Sequence, residues 1–506
     1  MQIFKKLRHI LPSLMLLAAV GAFAFAQSRQ DTFIIAQGGD PRSLSPFSST
    51  AQQEKNISNQ VVERLLNFGY GGEGYIPMLA TNWEYVGDDT IRLTLREGVT
   101  FTNGEAFNAE TAKWSLDQMM VAPPYATFVA LLDRIEVVDN HTVDVIAKEP
   151  TPELLMMNAL ALGSFMYPPA YTQEVGILEG FAAHPIGTGP YMFNEWVKDD
   201  RIVLDANPNF WGGAPAFQRL IFRPIPEAAA RVAALEAGDI DFTIDVPLDA
   251  FERLENNPNL VTVAAPGGRV YRVTMSTLDP NSPLANVEVR RALLHAVDPD
   301  SILEFVLGGR GRRVNQIVDS STFGFNPNIQ TPKYDPELAR QMLADAGYPN
   351  GVTVNFDYTN GRYPQDSEIS QLLASQLEEA GVTVNQNVLE SGEFLNRLVT
   401  LGLKDLFYSG SLTPPDAHDA YASYTCGFRY AYYCNEEFDR LYFEAAVTTD
   451  AEARQATYNQ LSEILANDAH VIPMFVMNDL YAHRAGITGW TPSRDQFLDF
   501  TNLGRE

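Results

Sequence analysis

The chain has 506 residues, of which 45% are hydrophobic, and its formal net charge is −27 at pH 7. A chain of this length can bury a large core and is expected to divide into at least two lobes, because single cores rarely grow beyond about 250 to 300 residues. An excess of acidic groups this large repels nucleic acid, so we exclude a nucleic-acid-binding function.

The N-terminus has the parts of a Sec-type signal peptide. Basic residues at positions 5, 6 and 8 precede an apolar run, and the run ends in Ala-Phe-Ala at positions 24–26, a typical cleavage site. An N-terminal membrane helix is the alternative, but the uninterrupted apolar core is shorter than the roughly 20 residues that a span needs. Since no cysteine follows the cleavage site, we predict a mature protein that is free in the periplasm or secreted, not a lipoprotein.

The first predicted elements of the mature chain are a strand over residues 32–37 and a helix whose apolar face includes residues 57–66. The loop of residues 69–74 then fits G-x-G-x-x-G, the pattern of a dinucleotide site. We reject that interpretation, because the pattern follows a predicted helix where the fingerprint needs a strand, and leads to Pro77 where it needs a helix. These glycines are expected to form a flexible turn.

Residues 75–115 predict strand, turn, strand, turn and helix. Trp83 and Tyr85 alternate with polar residues, and a second alternation follows an Asp-Asp turn, as in a hairpin. The Asn-Gly pair at positions 103–104 is a further turn signal. Asn108 directly precedes a helical pattern with a carboxylate in its first turn, so it is predicted to cap that helix.

The sequence of this segment resembles that of the extracytoplasmic solute-binding proteins of peptide- and nickel-type ABC importers, bacterial solute-binding protein family 5. The chain departs from the family pattern at Asn82, which stands for the usual serine, and at Asp89, which fills a position that is often glycine. The matching residues are Pro77, Leu79, Ala80, Trp83, Thr90, Leu95, Arg96, Gly98, Val99, Phe101, Gly104, Phe107, Ala109 and Glu110.

The resemblance continues in the same order along almost the whole mature chain. Coincidence is a poor explanation of this shared order. The further matching blocks are Gly187-Thr188-Gly189-Pro190-Tyr191, residues 231–241, the helix pattern of residues 287–298, residues 334–349 and the late strand of residues 468–475.

The resemblance implies an α/β fold, the two-lobed periplasmic binding protein of type II, cluster C-like, with an extra subdomain inserted in lobe one. The Pro-Gly-Gly residues 266–268 lie near one predicted crossover between the lobes, where hinge residues absorb backbone rotation. Transferred to this chain, the divisions are a signal peptide of residues 1–26, lobe one of residues 27–74, 187–269 and 481–506, an inserted subdomain of residues 75–186, and lobe two of residues 270–480.

No pattern of residues indicates catalysis. The chain has neither a G-x-S-x-G nucleophile elbow nor the H-E-x-x-H spacing of a zinc enzyme, and its histidines are scattered singly. Asp239, Asp241 and Asp245 alternate along an apolar strand pattern and are predicted to form a solvated strand face. We therefore predict that the protein is not an enzyme and uses no metal or cofactor.

By the resemblance, the solute binds between the lobes, against the loop of residues 48–50 and the segment of residues 404–419. In dipeptide and oligopeptide binders the second segment carries W-x-x-D, whose aspartate pairs with the free ammonium of the peptide. This chain has Tyr408 and Ser411 at those two positions. A free peptide N-terminus is therefore expected to bind poorly unless Asp416 or Asp419 takes over, because a buried unpaired charge costs several kcal/mol.

Other side chains near these segments are candidates for contacts with the solute. Arg362 can grip a carboxylate or phosphate with two hydrogen bonds, although an exposed loop arginine is an equal alternative. Tyrosines can stack on sugars or cap a peptide, and His418 lies in a Pro-rich loop beside acidic residues. The predicted ligand-binding residues are Ser49, Thr50, Tyr358, Arg362, Tyr363, Tyr408, Gly410, Ser411, Asp416, His418 and Asp419.

Cys426 and Cys434 are the only cysteines of the chain. In an exported protein a closely spaced pair is more often a disulfide than a metal site, so we predict a disulfide, with two free thiols as the alternative. Closing so short a loop stabilises a fold by about 2 to 3 kcal/mol in the chain-entropy model.

The predicted function is that of a monomeric periplasmic component of an ABC importer, which binds a peptide or other small polar solute and delivers it to a permease. Oligosaccharides, opines and nickel chelates are alternative solutes for the same fold. A secreted hydrolase and a periplasmic chaperone or sensory partner are alternatives of other classes, since a fold alone does not fix a function.

Overall fold

The computed structural model describes residues 31–48, 51–69, 74–413, 415–493 and 496–506. The predicted signal peptide of residues 1–26 and the candidate ligand contacts Ser49 and Thr50 lie outside the described residues. Within the described ranges, no helix combines the length and the apolar character that crossing a membrane requires.

The strands are numbered in chain order. They are β1 (Thr32–Gln37), β2 (Leu66–Phe68), β3 (Tyr75–Pro77), β4 (Ala80–Val86), β5 (Thr90–Leu95), β6 (Leu132–Asp139), β7 (Thr142–Ala147), β8 (Tyr191–Val197), β9 (Arg201–Ala206), β10 (Arg219–Pro224), β11 (Phe242–Thr243), β12 (Leu260–Met275), β13 (Gly311–Arg313), β14 (Val352–Thr359), β15 (Val382–Leu389), β16 (Leu406–Leu412), β17 (Val471–Arg484), β18 (Ile487–Thr488) and β19 (Gly504–Arg505).

The α-helices are numbered in the same way. They are α1 (Gln52–Ser58), α2 (Ala109–Val121), α3 (Ala126–Val129), α4 (Glu153–Gly163), α5 (Pro169–Val175), α6 (Phe181–Ala183), α7 (Ala228–Ala237), α8 (Leu248–Leu254), α9 (Val287–His295), α10 (Pro299–Phe305), α11 (Pro336–Asp345), α12 (Asp366–Glu379), α13 (Ser391–Val399), α14 (Ala417–Tyr421), α15 (Glu436–Val447) and α16 (Ala451–Asp468).

Two long antiparallel strands, β12 and β17, run through one large mixed sheet. Within the described residues its order is β15-β14-β16-β12-β17-β11-β1-β10-β9-β8, and β13 also pairs with β17. Residues 260–266 of β12 pair with residues 478–484, next to β11, whereas residues 270–274 pair with residues 471–476, next to β16. Each long strand therefore belongs to both halves of the sheet, and the chain crosses between the halves at these two strands.

The pairing of β12 with β17 is interrupted between Pro266 and Val270. Gly267 lies in this interruption, and a Cβ atom there would come within 2.4 Å of the Met477 carbonyl oxygen. Only a residue without a side chain allows the two backbones to approach this closely. An irregularity of this kind bends a strand and changes its twist, which lets the two halves of the sheet adopt different orientations.

A second sheet has the antiparallel order β4-β5-β7-β6 in the described part of the chain. Its first hairpin and the following helix α2 are the elements that residues 75–115 predicted. Trp83 pairs with Leu93 across the hairpin, and Asn108 caps α2 by accepting a hydrogen bond from the Thr111 backbone at 3.1 Å. The Thr111 hydroxyl in turn accepts from the Asn108 backbone at 2.9 Å, which completes a capping box.

The helix predicted across residues 57–66 is shorter than its sequence pattern indicated. Helix α1 ends at Ser58, although Val61 and the following apolar residues are buried. The carbonyls of Gln60 and Val61 accept hydrogen bonds from the backbones of Tyr191 and Gly189, both at 3.0 Å. These contacts between distant parts of the chain replace the helical hydrogen bonds, because each backbone group needs only one good partner.

Separate hydrophobic cores lie against the two halves of the large sheet. One core joins Phe33 of β1 to Ile91 of β5 and Leu116 of α2. Another core includes Val273 of β12 and Phe356 of β14. The segment predicted as an inserted subdomain thus shares a core with the first half, and its separate status, like the residue boundaries of the lobes, remains a prediction.

Candidate solute-binding cleft

The C-terminal end of β16 lies where the chain crosses between the halves of the sheet. Ser411 faces Val270 on β12, and the Thr413 backbone donates a hydrogen bond to the Gly268 carbonyl at 2.9 Å. Gly268 follows the interruption at Gly267, so this strand end borders the boundary between the two lobes. Solutes bind at such boundaries because closing the lobes removes them from water.

One edge of β16 is only partly covered by a neighbouring strand. Within the described residues β14 pairs with β16 at Leu406 and Phe407 alone, whereas β12 accompanies the other edge through residues 269–275. Since backbone groups alternate in direction along an antiparallel strand, the groups of Gly410 point away from β12. Its carbonyl accepts hydrogen bonds from the Tyr363 hydroxyl at 3.2 Å and from Arg269 Nη1 at 3.0 Å.

Aromatic rings pack beneath this strand end. Tyr408 stacks on Tyr271 with ring centroids 5.8 Å apart, and Tyr363 meets both rings edge-on. A Cβ atom on Gly410 would lie 2.7 Å from the Tyr271 ring, so the absence of a side chain lets the strand rest on this cluster. The rings support the cleft wall.

Two predicted contacts are core residues instead. Tyr408 is fully buried, and burial raises the pKa of its hydroxyl. Tyr358 is also buried, and its hydroxyl donates a hydrogen bond to Gln386 at 2.9 Å. Because neither ring is accessible to a solute, we remove both from the set of candidate contacts.

Arg362 lies in a loop that Asp366 holds in place. The Asp366 carboxylate accepts hydrogen bonds from the backbones of Gly361, Arg362 and Tyr363, at 2.8, 3.1 and 3.2 Å. The Arg362 guanidinium lies 5.2 Å from the centroid of the Tyr363 ring. Its Nε is buried and has no hydrogen-bond partner among the described residues, so this side chain keeps a donor that an anion can use.

Ser411, at the position of the family aspartate, is bound by an arginine. Arg272 Nη1 donates a hydrogen bond to the Ser411 hydroxyl at 2.6 Å, and both side chains are half-buried. A neutral hydroxyl satisfies one N–H group of the guanidinium but does not cancel its charge. The position that is acidic in dipeptide and oligopeptide binders is therefore next to a positive charge in this chain.

Asp416 is occupied by partners within the protein. Its carboxylate forms a bidentate ion pair with Arg454, at 2.6 and 3.0 Å, and accepts a hydrogen bond from the Tyr458 hydroxyl at 2.7 Å. Asp416 is fully buried, and it also caps α14 by accepting from the His418 backbone at 2.9 Å. The hypothesis that Asp416 replaces the missing aspartate is therefore abandoned, because its charge and lone pairs are already used.

The neighbouring acid, Asp419, has no such partner. Its carboxylate forms no hydrogen bond or ion pair with the described residues, and the residue is half-buried. Burial, and then the charge of Asp416, raises the pKa of Asp419 to about 7, against the opposing effect of Arg454. A cation bound beside Asp419 would favour its charged form.

His418 is neutral and held by stacking. Its ring lies parallel to that of Tyr442, with centroids 4.2 Å apart. Burial, and then the charge of Arg454, lowers the pKa of His418 to about 3. Its Nδ1 is buried without a hydrogen-bond partner in the described part of the chain, so His418 can offer one neutral polar atom to a solute.

Tyr75, from the other half of the protein, is affected by the charges of this acidic segment. Burial is the largest effect that raises the pKa of Tyr75, and the charges of Asp416 and Asp419 add to it. The Tyr75 hydroxyl donates to Asn158 Oδ1 at 2.7 Å. Tyr75 thus responds to the charges of a segment far along the chain, an effect that a periodicity argument could not predict.

The surroundings of Asp241 and Asp245 differ from those that the sequence predicted. The prediction of one solvated face was wrong: Asp241 is fully buried and receives Arg505 at 3.3 Å, whereas Asp245 has a positive φ of 51° and is exposed. Desolvation by the surrounding walls nevertheless raises the pKa of Asp245, while Arg231 and Arg269 oppose the rise.

Arg272 also escaped prediction, although the sequence contained a signal. It stands between Tyr271 and Val273 in an otherwise apolar strand, and charged residues seldom occupy half-buried strand positions without a reason.

Within the described ranges, no group of three or more His, Cys, Asp or Glu residues is arranged to hold a metal ion. The predicted disulfide between Cys426 and Cys434 is confirmed.

Relatives of the chain are found among known protein families and characterised proteins. The profile described as "Bacterial extracellular solute-binding proteins, family 5 Middle" matches residues 74–430. The chain belongs to this family. Heme-binding protein A of Haemophilus influenzae is 29% identical to this family 5 protein, with 92% of this chain and 89% of that protein covered. The glutathione-binding protein GsiB of Pectobacterium atrosepticum is 27% identical, with 92% and 93% covered.

Solved structures share the fold of this family 5 protein. The substrate-binding protein CtaP of Listeria monocytogenes gives a TM-score of 0.85 at 22% identity, covering 94% of this chain and 99% of that chain. A dipeptide-binding protein from Pseudoalteromonas sp. SM9913, in complex with Met-Leu, gives 0.82 at 22% identity, covering 94% and 100%. The predicted family and the predicted two-lobed α/β fold are confirmed.

Proposed function

We propose that this protein is the solute receptor of an ABC importer, which binds a small peptide or peptide-like solute beside β16 and delivers it to a permease. The observation that carries the proposal is the partly uncovered edge of β16 at the lobe boundary. An extended peptide can add to such an edge as a further strand, using main-chain hydrogen bonds for affinity and side-chain pockets for specificity. Relatives described as binding glutathione, a Met-Leu dipeptide and the peptide STSA support it.

The ammonium of the peptide is proposed to bind at Asp419. This acid replaces the family aspartate, whose position Ser411 occupies, because Asp416 is already paired with Arg454. Asp419 lies on α14, close to the segment that the resemblance indicated, and has no partner of its own among the described residues. A charge-assisted hydrogen bond to the ligand would compensate for the cost of keeping the carboxylate half-buried and charged.

The main-chain carboxylate of the peptide is proposed to bind at Arg362. The buried Nε of Arg362 lacks a partner in the described part of the chain, and a planar guanidinium binds a carboxylate with two parallel hydrogen bonds. Tyr363, beneath it, keeps the guanidinium in place by a cation–π contact. Ser49 and Thr50 stay in the proposed set as contacts from the other lobe.

The same proposal makes the protein a carrier that leaves its solute unchanged. The N-terminal signal sequence would direct it to the periplasm, where a monomer exchanges between open and closed forms. Solute binding favours the closed form because only that form contacts the solute from both lobes.

The proposal is tested with protein that has been unfolded and refolded to remove bound solute. We expect neutral dipeptides and tripeptides to raise the thermal midpoint and to bind in isothermal titration calorimetry. The same peptides with acetylated N-termini and amidated C-termini are the matched controls and should bind much more weakly. Stabilisation by oligosaccharides, an opine or nickel–histidine, with none by any peptide, would overturn the proposal. Mass spectrometry of the peptide after incubation separates a carrier from a hydrolase.

A further inference from the structure

Positive charge is concentrated where β12 and β16 meet the lobe boundary. Arg272 binds the Ser411 hydroxyl at 2.6 Å, and Arg269 binds the Gly410 carbonyl at 3.0 Å. Both arginines are half-buried. Neither has a carboxylate within 4.0 Å among the described residues. Their hydrogen-bond partners are neutral oxygen atoms, which do not cancel the charge of either guanidinium.

Arg272 also retains hydrogen-bonding capacity. Its Nε is buried and has no partner in the described part of the chain. Guanidinium groups carry five N–H donors in a fixed plane, so one bond to Ser411 leaves most of them available. A half-buried cation with an unused donor is costly in the unliganded protein. An anion bound to the guanidinium would remove that cost.

His470, a titratable neighbour of Arg272, does not supply negative charge. His470 is buried, and burial, followed by the charges of Arg290 and Arg272, lowers its pKa to about 3. His470 is therefore neutral at physiological pH. Asp245 partly offsets Arg269 from the other half of the protein, as the effect of Arg269 on the pKa of Asp245 shows. Of the two arginines, Arg272 is therefore the one whose charge no carboxylate offsets.

The position of Arg272 places it within reach of a solute. Arg272 faces Ser409 across the β12–β16 pair. It lies four residues along β12 from Gly268, near which the chain crosses the lobe boundary. Ser411 beside it has a short side chain. Asp419, by contrast, lies on α14, so the two opposite charges come from different elements of the fold.

We propose that Arg272 forms an anion subsite of the cleft that takes a side-chain carboxylate of the solute. This inference rests on the proposed function and makes it narrower, since the preferred solute becomes an acidic peptide and not any peptide. A carboxylate matches the planar guanidinium and can receive two parallel hydrogen bonds, with the Ser411 hydroxyl as a further donor.

The test compares peptides that differ in one functional group. Ala-Glu, Glu-Ala and Ala-Glu-Ala are titrated into ligand-stripped protein beside Ala-Gln, Gln-Ala and Ala-Gln-Ala, at low ionic strength. We expect at least one Glu peptide to bind about tenfold or more tightly than its Gln partner, which is the range of charge-assisted hydrogen bonds. Arg272→Gln should abolish this preference.

Two further variants keep the test decisive. Arg272→Lys retains the charge but not the planar pair of donors, so an intermediate preference is expected even if Arg272→Gln folds poorly. Ser411→Asp places a carboxylate against Arg272 and should remove or reverse the preference for Glu. Arg440→Gln is the matched control, because Arg440 pairs with Glu437 and Glu444 on the exposed face of α15.

The possible results separate the two proposals. Equal binding of Glu and Gln peptides by the original protein would overturn the anion subsite while leaving the peptide carrier intact. A preference for Glu that survives in Arg272→Gln would also overturn it. Failure of every peptide to bind would overturn the proposed function, and the anion subsite with it.

Discussion

Asp416 and Asp419 lie three positions apart, but their surroundings give them different properties. Asp416 is fully buried and paired with Arg454, whereas Asp419 is half-buried and has no partner among the described residues. Burial and the neighbouring charge of Asp416 raise the pKa of Asp419 to about 7. The same residue type thus stabilises the fold at one position and remains available to a solute at the other.

The raised pKa makes the binding of a peptide ammonium dependent on pH. Only the charged form of Asp419 attracts an ammonium, so the affinity for Ala-Ala should fall as the pH decreases below about 7, by up to about tenfold per pH unit. Calorimetric titrations between about pH 5.5 and 7.5 measure this slope. Asp419→Asn should bind more weakly and show a flatter profile.

The control for this prediction is Asp117→Asn, which removes an acid that pairs with Lys113 on α2. An Asp419→Asn profile as steep as that of the original protein would contradict the assignment.

The contribution of Asp419 to folding stability changes with pH in the opposite direction to its contribution to binding. Because the folded protein holds the Asp419 proton more tightly than the unfolded chain does, this group favours folding at low pH and loses that contribution as the pH rises from about 4 to about 7.

At the scale of elements, Asp416 connects two helices. It caps α14 and pairs with Arg454 of α16, and the Tyr458 hydroxyl of α16 completes the contact at 2.7 Å. The three side chains are buried. Removing one member of a buried ion pair leaves the other charge without a partner, which costs far more than an exposed pair contributes.

We therefore expect Asp416→Asn to destabilise the protein by about 3 to 5 kcal/mol, the usual cost of breaking a buried ion pair from one side. Urea unfolding followed by circular dichroism measures the change, and the transition of lobe two should shift first. Glu437→Gln breaks the exposed pair with Arg440 and should leave the transition unchanged. Equal midpoints for the two variants would show that the Asp416 contact does not connect the helices.

The comparison between sequence and structure also has its clearest examples at this scale. The hairpin of β4 and β5 and the cap of α2 were predictable, because alternation, turn residues and an N-cap are local signals. The early end of α1 was not, since it depends on backbone contacts from Gly189 and Tyr191, far along the chain. In the cleft, Arg362 and Asp419 could be nominated from the sequence. The packing had to be known to see that Asp416 is already paired, that Tyr408 is buried and that Arg272 has no carboxylate partner.

For the whole molecule, the close approach at Gly267 limits how the halves can be arranged. A Cβ atom there would lie 2.4 Å from the Met477 carbonyl oxygen, so β12 would have to move away from β17 at the crossover. The cores on either side do not include this position. The effect of a side chain at Gly267 should therefore fall mainly on the relation between the lobes.

We expect Gly267→Ala to weaken the binding of a peptide and to reduce the decrease in radius of gyration that accompanies it. Small-angle X-ray scattering, with and without a dipeptide that binds the original protein, measures the closure. Gly427→Ala is the matched control, because a Cβ atom at Gly427 has nothing within 4 Å. Closure of Gly267→Ala to the same extent as the control would show that the crossover tolerates the shift.

The register of β12 with β17 has one more consequence. Val270 faces Val476, so the stretch of chain between them leaves and rejoins the rest of the protein at neighbouring points, roughly one strand spacing of about 4.8 Å apart. Arg272, Arg362 and Asp419 all lie inside that stretch. This stretch can therefore be exchanged as one unit, because its two ends lie side by side. A chimaera that exchanges residues 270–476 with those of a relative needs no new linker, and the fold itself provides the cut points for moving solute preference from one carrier to another.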